Sequence, residues 1–414
     1  MKIHLQPLLI LLLGLSLFSC QKGLGTENGE ATSLPNFSNV EIDDVFSRRD
    51  GKMQDRDSVV EIIDQYYETV WEQGDLWGGV LIAKGDKILF EKYRGFSQDN
   101  AQAPVDKTTA LHIASVSKPI TAMAILKLVE AGLLKLDDEL TQFFPKFPYQ
   151  GITVKMLLNQ RSGLPKYEHF IDKIQPQPAE LSKKFLTNQD VLNLLIQYKP
   201  EAARAPDTGF MYCNTNYALL ALIVEKVTAT PFPEAMQQMV FKPLKMKHTY
   251  VFQEKDISTA AKSFYQKGAK VHPYDRLDLI YGDKNIYTTP RDLFNFSRAM
   301  FADNFLPKDL MAMVFEPYSN EKPGINNYGL GFRMKIFDDH SKLTYHNGWW
   351  HGSNSVFGHL LDSKVTIIAI GNKYSQRVYS TLALSSLFEN FPYETEKLYK
   401  VMAPNATNGE GYEE

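Results

Sequence analysis

Segments with strand character lie near both ends of this chain, and helical periodicity fills the stretch between them. Near the beginning, "WGGVLIAKGDKILFEKYRGF" (77–96) places two apolar runs around a Lys-Gly-Asp-Lys turn, the pattern of a β-hairpin. Near the end, "KLTYHNG" (342–348), "NSVFGHLLD" (354–362) and "KVTIIAIGN" (364–372) are rich in β-branched residues, and a short turn joins the last two. Between them, segments such as 120–136, 152–164, 188–199, 215–229 and 290–301 carry apolar residues at helical spacing and are separated by turns containing Pro and Gly. A chain ordered in this way is expected to be α/β, more narrowly α+β. One antiparallel sheet is built from both chain ends and flanked by helices, and an all-helical region is inserted. An amphipathic helix over 58–74 precedes the first strands and another over 381–391 follows the last. A functional site belongs in the cleft between the sheet body and the helical insert.

The first residues divide differently. Lys2, an apolar run from Leu8 to Phe18 and then "SC" form a stretch too short to span a bilayer comfortably. It reads as the hydrophobic part of an export signal, and "LFSC" resembles the lipobox of bacterial lipoproteins, with cleavage before Cys20 and lipidation of its sulfur. A plain signal peptide cut nearby is the alternative. With Cys20 lipidated, only Cys213 remains, so no intramolecular disulfide is expected. The expected organisation is a lipoprotein signal peptide (1–19), a polar flexible tether (20–55), a folded catalytic domain (56–392) and an acidic disordered tail (393–414). The chain would then be exported and anchored at the cell envelope through its lipid, on the periplasmic or cell-surface face. A net charge of -3 gives no basic excess for nucleic acid.

Chemistry concentrates at three places. In "HIASVSKPITAM" (112–123), Ser115 and Lys118 are three apart at the start of a helix, so they share a face and the amine can take the hydroxyl proton. Free N–H groups at that helix start would stabilise developing negative charge. Spacing alone is weak, since Ser319 and Lys322 repeat it in a polar loop bounded by Pro. At "FMYCNTNYALL" (210–220), Tyr212 and Asn214 would share one face of an extended segment and Cys213 the other. Tyr318 to Asn320 and Tyr345 to Asn347 match the same spacing. The third place is "YHNGWWHGSNSVFGHL" (345–360). His346 would polarise the site or orient Tyr212, Gly348 would let a substrate backbone approach, and the N–H of Trp349 would join that of Ser115 in an oxyanion hole.

In this order the segments resemble the Ser-x-x-Lys, Tyr-x-Asn and Lys/His-x-Gly motifs of the serine β-lactamase and penicillin-binding protein superfamily. The nearest likeness is to its class C-like branch of esterases, D-aminopeptidases and carboxypeptidases. "ITVKMLLNQRSGLP" (152–165), "PLKMKHTYV" (243–251) and "NNYGLGF" (326–332) resemble further family segments, and the similarity runs over roughly residues 58–390. The resemblance implies a β-lactamase/transpeptidase-like fold. It implies Ser115 as nucleophile, Lys118 as base, Tyr212 as proton shuttle, Asn214 as partner of Lys118 and substrate, and His346 with Gly348 as the third motif. Tyr212 is the matching tyrosine because a helix follows it, as in the family.

The sequence departs from the family pattern at Trp349 and Trp350, where small residues are usual. Two indoles there would narrow the cleft, contact substrate and favour apolar or aromatic acyl groups. His346 in place of lysine counts against efficient β-lactam hydrolysis. The activity implied is that of a serine hydrolase, a β-lactamase-related esterase or D,D-peptidase. It would form an acyl-enzyme on Ser115 from small-molecule esters, D-amino-acid-containing amides of the cell-wall type or β-lactams. The alternative is a catalytically silent, lipid-anchored sensor or binding domain. No cofactor is expected. No metal is expected either, because His346, His351 and His359 fit no zinc spacing and no carboxylate pair accompanies them. Ser117 and His351 read as local structural residues, and Cys213 as a buried small apolar side chain.

Overall fold

A computed structural model describes residues 33–46, 56–99 and 103–403. The first helix, α1 (Arg56–Tyr66), continues through one wider turn to Glu72. It leads into β1 (Gly78–Lys84) and β2 (Lys87–Arg94), the hairpin expected around Gly85. After β3 (Leu111–His112) the chain forms α2 (Ser117–Glu130), α3 (Leu140–Phe143), α4 (Val154–Leu158), α5 (Tyr167–Phe170), α6 (Asn188–Tyr198), α7 (Asn214–Thr228) and α8 (Phe232–Met236). Next come β4 (Tyr250–Val251), β5 (Ile286–Thr288), α9 (Pro290–Met300) and α10 (Lys308–Val314). The chain returns to strands in β6 (Asn326–Tyr328), β7 (Arg333–Ile336), β8 (Lys342–Trp350), β9 (Ser353–Leu360) and β10 (Val365–Gly371). A 3-10 spiral over Gln376–Leu387 and α11 (Pro392–Met402) close it.

The large sheet has seven strands in the order β2-β1-β10-β9-β8-β7-β6, with neighbours antiparallel. Strand β1 from one end of the chain pairs directly with β10 from the other, Gly78 opposite Gly371. The expected assembly from both ends is therefore what forms. A small second sheet, β3-β5-β4, ties the approach to α2 against residues 286–288.

Both faces of the large sheet are covered, which is why β1 and β10 read as nearly continuous apolar runs and why β9, despite its polar residues, is buried along its whole length. Val80, Ile82, Val356, Ile367 and Ala369 pack under the terminal helices with Tyr66, Trp71 and Leu398. The alternate residues Leu81, Phe357, Ile368 and Ile370 pack against the inserted helices. Among the described residues no helix is long and apolar enough to cross a membrane.

Two expected boundaries move. Residues 33–46, within the expected tether, lie on the folded body. Phe37 is buried, stacks on Phe305 at 4.3 Å and donates its backbone N–H to the carbonyl of Met239 at 3.1 Å. At the other end, the expected disordered tail begins with α11, where Leu398 and Val401 are buried and Glu394 meets Lys335 in a buried ion pair. The apolar side of α11 and the burial of that pair outweigh the acidic composition. The signal peptide with Cys20, the rest of the tether and the tail from residue 404 lie outside the described residues.

Candidate active site

The turn Ala114–Val116 leads into α2, and Ala114 adopts a positive φ of 46°. A left-handed backbone at a non-glycine residue costs roughly 1–2 kcal/mol and persists only where its surroundings enforce it. Here they do so from both sides. The N–H of Ile113 donates to the carbonyl of Ile286 at 3.0 Å, and the Ser355 hydroxyl donates to the carbonyl of Ile113 at 2.7 Å. The result leaves Ser115 partly exposed, while Val116, Ser117 and Lys118 behind it are buried. Ser117 turns away and its hydroxyl accepts the N–H of Ile286 at 3.2 Å.

Lys118 is fully buried, and its Nζ lies 2.9 Å from Ser115 Oγ. The same nitrogen donates to Asn214 Oδ1 at 2.8 Å and to the backbone carbonyl of Asp283 at 2.9 Å. No charged carboxylate is among these partners. The aromatic face of Tyr212 lies 4.8 Å from Lys118 Nζ, and the guanidinium of Arg333 lies at the same distance from that ring. Each cation is attracted to the ring quadrupole.

The segment carrying Tyr212 and Asn214 is extended at Cys213 (φ -146°, ψ 117°) and enters α7 at Asn214. Alternation along it directs Cys213 away from Lys118. Its sulfur is buried against the carbonyl of Leu164, and burial pushes its pKa up to about 12. Gln160 fixes this segment by accepting the N–H of Cys213 at 3.0 Å and the side-chain amide of Asn216 at 2.7 Å. Asn214 is held in turn by Glu168 on α5, whose Oε1 accepts its Nδ2 at 3.1 Å. Sequence reasoning missed Glu168, which sits in a four-residue helix too short to show periodicity.

Strand β8 supplies the opposite wall. Beyond Tyr345 it has no β7 partner, so its free edge faces the Ser115 turn. Gly348 is where the two meet. A Cβ at this position would lie 2.4 Å from the carbonyl of Ile113 and 3.0 Å from the backbone nitrogen of Ser115. The missing side chain makes room for the turn that carries Ser115, not for an approaching substrate backbone. The two-residue turn His351–Gly352 makes Trp350 and Ser353 a hydrogen-bonded pair, so the next pair, Trp349 and Asn354, is non-bonded. The N–H of Trp349 therefore points out from the free edge of β8, one residue beyond the point where Gly348 meets the Ser115 turn.

His346 is buried on the same face. Its Nδ1 lies 2.7 Å from the carbonyl of Asn347 and must donate there, so Nε2 accepts the hydroxyl of Tyr328 at 3.1 Å. Burial holds its pKa well below the usual imidazole value, with the Arg333 and Lys118 charges acting the same way. The ring is neutral and bonded to Tyr328. Its centroid lies 6.1 Å from that of Tyr212 at 45°, so the two rings are in contact while the hydrogen bond of His346 goes to Tyr328. Only the β6–β7 hairpin brings Tyr328 there, which no local pattern announces.

Alternation separates the two indoles. Trp350 shares the face of His346 and Gly348, but its Nε1 donates to buried Asp278 at 2.6 Å and Lys284 Nζ lies 4.6 Å from its ring. Trp349 projects to the other face and is 49% exposed. The expected pair of indoles over the cleft is reduced to one, and that one is pinned. The three histidines also part company. His351 meets Asp278 at 3.0 Å, and His359 lies in the core with Ser297 Oγ at 2.8 Å. Asp275, Asp278 and His351 bring ligand atoms within 4.8 Å of one another, a grouping that includes the carboxylate pair the sequence did not reveal. Ser319 remains in its loop, its N–H bonded to Asn327.

Known proteins resemble this chain over most of its length. The family model described as "Beta-lactamase" matches residues 63–383. Penicillin-binding protein 4* of Bacillus subtilis (strain 168) is 29% identical over 336 residues, covering 77% of this chain and 73% of that protein. Protein flp of Staphylococcus aureus (strain MW2) is 34% identical over 194 residues, 45% of this chain and 37% of its own length. Among solved structures, the penicillin-binding protein from Bacillus halodurans superimposes with a TM-score of 0.68 at 25% identity, covering 78% of this chain and 98% of that one. The D-amino acid amidase from Ochrobactrum anthropi SV3, complexed with L-phenylalanine amide, gives 0.64 at 20% identity over 83% and 98%, a likeness of fold alone.

Proposed function

Since the chain belongs to the β-lactamase family, within the serine β-lactamase and penicillin-binding protein superfamily, we propose that it is a hydrolase acting through an acyl-enzyme on Ser115. The observation that carries this reading is the 2.9 Å contact between Lys118 Nζ and Ser115 Oγ, with two further acceptors fixing the amine. When Lys118 acts as the base, two N–H bonds go to Asn214 Oδ1 and the Asp283 carbonyl, and the remaining lone pair is directed at the serine hydroxyl. The proton of Ser115 passes to Lys118 as Oγ attacks the substrate carbonyl carbon. The resulting oxyanion lies between the N–H groups of Ser115 and Trp349. As the tetrahedral intermediate collapses, the Tyr212 phenol, beside the amine, gives its proton to the leaving group and takes back the one held by Lys118. Water then attacks the acyl carbon, one of its protons passes through Lys118 to Ser115 Oγ, and the acid is released.

The substrates we propose are esters and D-amino-acid-containing amides of the cell-wall type, ahead of β-lactams. The names of the penicillin-binding relatives support the class, and a neutral His346, which brings no positive charge to the third motif, supports the order. A site with its nucleophile and base in contact favours turnover over a silent sensor. We also propose that the protein is exported and anchored at the envelope through lipid on Cys20. Whole-protein mass spectrometry after exposure to a fluorophosphonate or a penicillin tests the central step, followed by rates on short-chain esters, D-Ala-D-Ala peptides and a chromogenic cephalosporin. The expected result is an adduct mapped to Ser115. A folded protein with no adduct there refutes the reading.

A further inference from the structure

We infer that the consecutive residues Tyr167 and Glu168 are positioning residues for the acylation step, each bracing one of the two acceptors that orient Lys118. The inference rests on the proposed role of Lys118 as the base. Two of the three partners of the Lys118 amine are not part of the nucleophile turn: the Asn214 amide oxygen and the Asp283 carbonyl. Neither is rigid by itself. A primary amide can turn over and exchange oxygen for nitrogen, and a carbonyl in the loop before β5 can rotate with its peptide.

Helix α5 restrains both. Glu168 Oε1 accepts Asn214 Nδ2 at 3.1 Å, so the amide nitrogen is committed to Glu168 and its oxygen to Lys118. The phenol of Tyr167, fully buried, donates to Asp283 Oδ2 at 2.7 Å and accepts from Lys284 Nζ at 2.6 Å. The side chains of residues 283 and 284 are therefore clamped on one hydroxyl, and the peptide group joining them is the one whose carbonyl faces Lys118. Helix α5 is itself tied to α7, because the N–H of Tyr167 donates to Thr215 Oγ1 at 2.9 Å. Burial raises the Tyr167 pKa well above its usual value, the Asp283 charge adds to this, and the phenol keeps the proton the clamp requires. Turning over the Asn214 amide would present an N–H to the amine in place of an acceptor. Freeing the Asp283 peptide would release the second N–H, so the lone pair would no longer be held toward Ser115.

The test compares Tyr167→Phe, Glu168→Ala and Glu168→Gln with wild type, following labelling of Ser115 by a fluorophosphonate as a function of probe concentration. This separates the maximal rate of bond formation from the half-saturating concentration. The expected result is a fall of about ten-fold in the maximal rate for Tyr167→Phe and Glu168→Ala, with half-saturation unchanged. Glu168→Gln keeps an acceptor for Asn214 and is expected to restore the rate. Variants that are folded by near-ultraviolet circular dichroism and label at the wild-type rate overturn the inference, as does a loss confined to half-saturation. If Tyr167→Phe does not fold, the two Glu168 variants decide alone. Failure of wild type to label at Ser115 would instead refute the acyl-enzyme reading, so the two failures are distinct.

Discussion

Replacing Gly348 by alanine tests how the sheet and the turn that carries Ser115 share space. The added Cβ would lie 2.4 Å from the Ile113 carbonyl oxygen, where ordinary contact begins near 3.4 Å, so the two must part by roughly 1 Å. It would also lie 2.4 Å from Ser355 Oγ, and rotating that hydroxyl away breaks its bond to the Ile113 carbonyl. The turn cannot retreat freely, because the N–H of Ile113 is bonded to Ile286 behind it. Strand β8 must therefore move, and the N–H of Trp349 moves with it relative to that of Ser115. Overpacking of this kind costs typically about 1–3 kcal/mol of stability. A misplacement of about 1 Å among reacting groups costs about a hundred-fold in rate. The expected outcome is a small drop in the thermal midpoint and a loss approaching a hundred-fold in Ser115 acylation, read from the burst with a p-nitrophenyl ester. Ser355→Ala alone loses the bond that holds the Ile113 carbonyl but adds no atom beside it, so it should acylate faster than Gly348→Ala. Equal losses in the two single variants would refute the reasoning, since the steric contact would then not be the one that matters. Wild-type acylation in Gly348→Ala despite lower stability would refute the oxyanion geometry.

Two other outcomes follow. Burial holds His112 and His359 near a pKa of about 3 and His346 well below its usual value, so in the folded state these rings stay neutral as the pH falls. The unfolded chain takes up the protons below about pH 6.5, so the stability from these neutral rings is full above that value and lost progressively toward pH 3. His112 and His359 each contribute on the order of 1 kcal/mol per pH unit in that window, and His346 acts in the same direction. Urea midpoints measured at pH 7, 6 and 5 should fall accordingly, and equal midpoints would show that these rings accept protons inside the fold. For the amino-terminal anchor, labelled palmitate should enter the wild-type protein in bacterial cells and be absent from Cys20→Ala. Equal labelling of both would remove the lipoprotein reading.

What the sequence disclosed depended on the length and regularity of each element. Helices α2, α6, α7 and α9 run for eleven residues or more, and β1, β8, β9 and β10 for seven or more, so each could be read from its own apolar pattern. Strands β3 to β7 have two to four residues and α5 has four, too few for a period of 2.0 or 3.6 to emerge. Ser115 and Lys118 could be paired because one helical turn joins them. Glu168, Tyr328 and the Asp283 carbonyl could not, because their relation to the site passes through a short helix, a hairpin and a main-chain atom. The acidic end of the chain was misread for a related reason. Composition weighs every charge as solvated, whereas Glu394 is buried against Lys335.

The third motif shows how folding and the proposed chemistry depend on the same pattern. Along β8 and β9, Tyr345 and Val356 turn toward the terminal helices, and His346, Gly348, Ser355 and Phe357 turn toward the inserted ones. Gly348 lies opposite Ser355, whose hydroxyl holds the Ile113 carbonyl, and His346 lies opposite Phe357 of the inserted core. A slip of one residue in this register would move His346 and Gly348 to the terminal-helix face and present Asn347 and Trp349 to the Ser115 turn. It would also bury the wrong apolar set on both faces, so the hydrophobic alternation that stabilises the sheet selects against it. The same apolar residues that hold β8 in register therefore keep its free edge, with the Trp349 N–H, beside Ser115.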